Sequence, residues 1–165
     1  MNAERFFERY MGFLLDGQRQ ACRDVLDEAI QAGIEAKAIY RKVIWPAMEN
    51  VEKLYRADRI NLATEHMATR ISRSIADQLQ TRLARQSANG KRILITCADG
   101  EPEELGAQMC ADLFEAEGWE VFFVGGGVPN DEILGVVGQL RPDILLVFGT
   151  QPGGVANVRR LIDLV

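Results

Sequence analysis

Histidine is the scarcest chemistry-bearing residue in this chain. Only His66 is present, so no multi-histidine metal site can be built. The three cysteines, Cys22, Cys97 and Cys110, form no C-x-x-C pair, which leaves neither a disulfide framework nor a zinc site to be expected. No apolar run reaches membrane-spanning length, and Met1–Arg5 has no signal-peptide pattern, so a cytoplasmic location is expected. Basic charge is short in the second half. Residues 1–90 carry 14 Lys and Arg against 12 Asp and Glu, whereas residues 91–165 carry 5 against 12. So acidic a second half argues against direct nucleic-acid contact there, and no DNA-reading motif precedes it.

What is present divides in two. Over residues 1–86 the apolar residues recur at helical spacing. Phe6, Phe7, Tyr10, Met11, Leu14 and Leu15 run up to the break at Asp16-Gly17. Cys22, Val25, Leu26, Ala29 and Ile30 mark a second helix that ends at Gly33. A third runs from about Glu35 toward Tyr55, with Pro46 as a kink or restart, because proline lacks the N–H a helix interior uses. The fourth starts near Asn61 and stacks Met67, Ile71, Ile75, Leu79 and Leu83 at steps of four. Four helices joined by short turns predict a helix bundle.

Residues 87–90, Ser-Ala-Asn-Gly, read as a polar linker. Beyond them strands 93–96, 121–124 and 144–148 alternate with helices over about 103–117, 131–140 (capped by Asn130) and 155–165. That alternation predicts an α/β domain, a Rossmann-like (flavodoxin-like) doubly wound parallel sheet over 91–165. Three strands are few for such a sheet, so the domain is expected to be incomplete at its C-terminal end. Ligands of these sheets sit beyond the carboxyl ends of the strands, which here means Cys97–Pro102, Gly125–Pro129 and Gly149–Gly154. Gly125-Gly126-Gly127 invites a dinucleotide reading. It fails because the G-x-G-x-x-G spacing is absent and Glu101, Glu103 and Glu104 would repel a phosphate at the first strand–helix turn.

The segment Glu101-Pro102-Glu103-Glu104-Leu105-Gly106 instead resembles the D-x-H-x-x-G signature of cobalamin-binding domains. Glu101 falls at the Asp position, Glu103 at that of the cobalt-ligating His, and Gly106 keeps the Gly. Val124–Pro129 resembles the family's loop after the second strand, with Gly125, Gly126, Gly127 and Pro129 as its candidate contacts. Phe148-Gly149-Thr150 falls at the later Ser-x-Thr element, with Phe148 in place of the serine and Thr150 conserved in type. In the family that serine lines the slot for the displaced nucleotide tail. The resemblance therefore implies a cobalamin pocket from which both the lower histidine and the tail slot are altered. A carboxylate is a harder, weaker ligand than imidazole for a low-spin cobalt corrin. Taken residue by residue, Glu103 reads equally as a solvated helix-start carboxylate and Phe148 as a strand-end core residue.

The helical half is similar to the caps of the same family, most of all to the light-responsive, adenosylcobalamin-dependent regulators. Pro46-Ala47-Met48, Val51, Leu54-Tyr55, Arg59-Ile60 and Glu65-His66 carry that likeness. Their W-x9-E-H motif becomes Tyr55 followed, after nine residues, by Glu65-His66. The resemblance implies that Tyr55, Glu65 and His66 shield the ligand's upper face. The alternative is a core tyrosine, a solvated glutamate and a structural histidine. Arg56 stands where those regulators carry a second histidine, and it suits a tetrapyrrole propionate.

A non-catalytic sensory or regulatory module is therefore expected, possessing no complete catalytic constellation. It would bind a tetrapyrrole between cap and sheet edge: cobalamin without histidine ligation, or a bilin such as biliverdin, or a porphyrin, in a photoreceptor-like role. Cys97 is a conceivable bilin tether. The alternatives are a corrinoid carrier for methyl transfer and a ligand-free interaction domain. A homo-oligomer or a protein partner is expected.

Overall fold

A computed structural model describes residues 3–165, and the chain divides into two compact units, one up to Ala84 and one from Arg85 onward. Among the described residues no helix is long and apolar enough to cross a membrane.

The first unit is helical, as its apolar spacing predicts. It comprises α1 (Ala3–Leu15), α2 (Arg19–Gln31), α3 (Ala36–Ile39), α4 (Trp45–Arg56) and α5 (Leu62–Gln80). α3 and α4 are one continuous rod, joined by a π-helical stretch over Tyr40–Ile44 in which the Trp45 N–H donates to the Tyr40 carbonyl. The expected kink at Pro46 takes this form. The wider i→i−5 register just before proline accommodates the ring and the missing donor. Its core stacks Phe6, Tyr10 and Leu14 of α1 on Val25, Ile44, Val51, Ile71 and Ile75, all buried. The two deepest tyrosines keep their hydroxyls satisfied. Tyr10 pairs with Ser72 Oγ at 2.9 Å, and Tyr40 donates to the Ala76 carbonyl at 2.8 Å.

Two sequence expectations shift here. Met67 is exposed rather than stacked in the core, its sulfur lying over the turn at Gly17. α5 ends at Gln80, so Leu83 is buried from a turn and not from the helix. The start of α5 is as expected, with the Asn61 side chain accepting the Thr64 N–H at 2.9 Å.

The second unit holds β1 (Arg92–Cys97), α6 (Leu105–Ala116), β2 (Glu120–Gly125), α7 (Asn130–Leu140), β3 (Ile144–Phe148), a 3-10 turn at Pro152–Gly154 and α8 (Val155–Leu164). The strands are parallel in the order β2-β1-β3, pairing Ile93 with Val121 on one side and Ile144 on the other. β1 is central and apolar on both faces, which is why Ile93, Leu94 and Ile95 are all buried. Ile93, Ile95 and Cys97 pack with Ala107 and Ala111 of α6, and Phe114, Trp119, Leu146 and Phe148 close that layer.

Residues 87–90, expected as a linker, pack on the α6–β2 turn. A Cβ at Gly118 (φ +84°) would lie 2.1 Å from the Ser87 carbonyl oxygen, so that close approach requires glycine. Two helix starts also differ from expectation. α6 begins at Leu105, not near Glu103, because the Glu103 side chain takes the Leu105 N–H at 2.6 Å. Asn130 is the first residue of α7 rather than its cap, and its amide donates to the Asn157 carbonyl at 3.2 Å.

Candidate functional site

Parallel strands deliver all three of the α/β unit's ligand-side loops to one edge. Cys97, Gly125 and Phe148 end β1, β2 and β3 there, and Cys97 pairs with Phe148 in the ladder. The loop after β1 organises the others through two carboxylates. Glu101 is only 7% exposed. Its Oε2 accepts from the Thr150 N–H at 2.5 Å and the Gln151 N–H at 3.3 Å. Its Oε1 accepts from the Thr150 hydroxyl at 2.7 Å and the Glu103 N–H at 3.1 Å. Burying a carboxylate is costly unless donors replace its water, and these four replace it. Glu104 works in the opposite direction: its Oε1 accepts the Gly126 N–H at 2.6 Å. One acidic loop thus fastens both of its neighbours.

Steric detail completes the edge. A Cβ on Gly106 would stand 2.3 Å from Phe148 Cζ and 2.6 Å from its Cε2, so the phenyl ring lies directly on the first turn of α6. Cβ atoms at Gly149 and Gly154 would meet the Ala98 methyl at 3.2 and 3.1 Å. Gly125 and Gly127 take φ of +81° and +73°, which lets the β2–α7 loop turn sharply before Pro129. Cys97 is 5% exposed, a buried thiol and a poor tether for an incoming bilin.

Of the residues singled out in this unit, Cys97, Glu101, Glu103, Gly106, Gly125, Gly126, Gly127, Pro129, Phe148 and Thr150 all lie along this edge or at the start of α6. Glu104, which no motif marks, joins them at this edge. Its partner is 22 residues away, a separation no local spacing rule reads.

In the helical unit, Tyr55 is in the last turn of α4 and Glu65-His66 in the first turns of α5, joined by residues 57–61. Tyr55 is 36% exposed and the His66 side chain 60% exposed, so neither is a core residue. Glu65 accepts from Thr69 Oγ1 at 3.2 Å and has its other oxygen 3.5 Å from His66 Nε2. Arg56 pairs within its own helix with Glu52, at 2.5 Å, where the sequence suggested a propionate partner. Among the described residues no cluster of three or more His, Cys, Asp or Glu side chains is arranged to hold a metal.

A helical unit followed by a parallel α/β unit, with its acidic loop stapling the carboxyl edge, defines a ligand-binding module of the two-part helical and Rossmann-like class. The family follows from the sequence. A B12 binding domain model matches residues 7–80, and a second B12 binding domain model matches residues 91–165. The chain belongs to the cobalamin (B12)-binding domain family.

Among curated proteins it is 27% identical over 143 residues to the HTH-type transcriptional repressor CarA of Myxococcus xanthus. That match takes in 87% of this chain and 47% of the repressor, so the chain spans about half of that relative's length. It is 22% identical over 153 residues to monomethylamine corrinoid protein 2 of Methanosarcina acetivorans, covering 91% of the chain and 70% of that protein. Its fold is like that of the Methanosarcina barkeri monomethylamine corrinoid protein, with a TM-score of 0.87 at 16% identity over 98% of this chain and 77% of the other. A cobalamin-binding protein from Desulfitobacterium hafniense DCB-2 gives a TM-score of 0.52 at 19% identity, covering 99% and 76%.

Proposed function

We propose that this chain is a non-catalytic regulatory module that binds a corrinoid at the carboxyl edge of its sheet. The observation that carries the choice of ligand is the chemistry of that edge. Glu101, Glu103 and Glu104 line it, and the α/β unit has 5 basic against 12 acidic residues over 91–165. Corrins carry neutral acetamide and propionamide arms, which an acidic rim does not repel. Bilins and porphyrins carry propionates, which the same rim repels. Arg56, the candidate propionate partner, is already paired with Glu52. The tetrapyrrole reading therefore narrows to a corrinoid, and Tyr55, Glu65 and His66 are proposed to contact it from the helical unit.

The regulatory role is supported by likeness to a transcriptional repressor over 87% of this chain. Light sensing is its narrower form. A second reading, a corrinoid carrier that works with methyltransferase partners, is favoured by the likeness to a corrinoid protein over 91% of the chain. A carrier presents its ligand to an enzyme, whereas a regulator changes state when the ligand does.

The test is retention. The full chain is incubated in the dark with adenosylcobalamin, methylcobalamin or biliverdin, desalted, and its spectrum recorded. A corrin band that stays with the protein, and no biliverdin band, is the expected result. Protein that leaves the column colourless after both cobalamins contradicts the reading. Illumination separates the roles: a change in the oligomeric state of adenosylcobalamin-loaded protein marks a light-responsive regulator, and methyl transfer to an added corrinoid methyltransferase marks a carrier.

A further inference from the structure

A low-spin cobalt corrin is gripped from below far better by an imidazole nitrogen than by a carboxylate, and the sheet edge has no imidazole. The chain's sole histidine, His66, belongs to the helical unit. Cys97 is buried at the end of β1. The carboxylates of the loop after β1 already hold protein donors: Glu101 accepts four hydrogen bonds, Glu103 takes the Leu105 N–H, Glu104 takes the Gly126 N–H, and Asp99 takes the Asn157 side-chain amide at 3.0 Å. Pulling any of them toward a metal would break these charge-assisted hydrogen bonds, part-buried in all but the Asp99 pair.

Space is missing as well. A cobalamin whose benzimidazole base has left the metal must put that flat aromatic group somewhere apolar. The notch between the first turn of α6 and the end of β3 is occupied by the chain's own phenyl ring, seated on Gly106 and packed with Ile93, Ile95, Cys97, Ala107 and Ala111. The edge therefore does not fit a cobalamin held by a protein donor with its base displaced into the domain.

We infer that the α/β domain holds its corrinoid by the face and rim alone, without an axial donor from the sheet edge and with the nucleotide tail outside, so that tail-less cobinamides bind as well as cobalamins. Phe148 and Glu101 are the specificity-determining residues, one by filling the notch and the other by keeping the loop's carboxylates and amides paired. This inference rests on the corrinoid-binding reading above.

Methylcobinamide and methylcobalamin provide the test, because colour reports the atom opposite the methyl group. Without a nitrogen donor methylcobinamide is yellow, and with its own base bound methylcobalamin is red. Each is titrated in the dark into the full chain and into His66→Ala. Dissociation constants within about tenfold of each other are expected, with bound methylcobinamide still yellow and bound methylcobalamin still red. A preference for methylcobalamin above about tenfold overturns the inference but leaves corrinoid binding standing. So does methylcobinamide that reddens and stays red in His66→Ala, or methylcobalamin that turns yellow on binding. If neither compound is retained, the corrinoid reading falls and the inference falls with it.

Discussion

Gly106→Ala isolates the contact on which the filled notch depends. Its new Cβ would lie 2.3 Å from Phe148 Cζ, whereas carbon atoms in ordinary contact are about 3.5–4.0 Å apart. The ring must therefore retreat by more than about 1 Å, out of a packed layer that includes Ile95, Cys97 and Ala107. Overpacking of this kind costs about 1–3 kcal/mol. Gly106 is the second residue of α6 and has no positive φ, so alanine returns up to about 1 kcal/mol of helix propensity. The net expectation is a loss of about 1–2 kcal/mol, read as a fall of roughly 0.5–1 M in the urea midpoint. In a Trp45→Phe background, Trp119 fluorescence reports on the α/β unit alone. Phe148→Ala should cost about 2–4 kcal/mol by itself. Adding Gly106→Ala to it should then cost nothing more, because the clashing ring is gone. A Gly106→Ala chain as stable as the parent, or a double variant whose losses simply add, would refute the seat of Phe148 on α6.

Three further outcomes are expected. Glu101→Gln puts an NH2 group among four donors, so it should destabilise the α/β unit by about 2–3 kcal/mol and speed amide exchange at Thr150 and Gln151 while leaving Gly126 slow; equal rates at all three amides would count against separate staples. Asn61→Ala should cost about 1 kcal/mol through loss of the α5 cap, measured by chemical denaturation, and an unchanged midpoint would mean that the cap contributes nothing. Burial pushes the Cys22 thiol up to about 11 against a weaker opposing effect of Arg23. Its folded form thus stays protonated where the unfolded form ionises, so stability should be level below about pH 9 and fall by about 3 kcal/mol by pH 11. Burial of Tyr10 acts in the same direction from about pH 10 upward, so Cys22→Val should flatten the slope between about pH 9 and 10 and leave the part above it.

The bundle and the strand–helix alternation were legible because apolar periodicity is a local signal that burial enforces residue by residue. Details set by geometry were not. The π-helical stretch at Tyr40–Ile44 has no composition of its own; it exists because Pro46 lacks a donor just downstream. Met67 sits on the apolar stripe of α5 yet is exposed over Gly17, a position that periodicity alone does not distinguish from a buried one. At the sheet edge, residue identities could be read but not their partners. Phe148 is visible as a phenyl where a small residue was expected. That it lies on Gly106, 42 positions earlier, required the sheet to form. Glu101 and Glu103 were singled out as replacements in a metal signature, and their hydrogen bonds to Thr150 and Leu105 give them a different occupation. At the level of a motif Arg56 reads as a ligand contact, because its i,i+4 pairing with Glu52 is not visible there.

Amide chemical shifts, recorded as a diamagnetic cobalt(III) corrinoid is added to the isotopically labelled full chain in the dark, bear most directly on the account. Binding at the carboxyl edge predicts that the largest changes cluster in residues 97–104, 125–129 and 149–154, with the far ends of α6 and α7 unmoved. Changes centred elsewhere in the α/β unit, or none at saturating corrinoid, would contradict it.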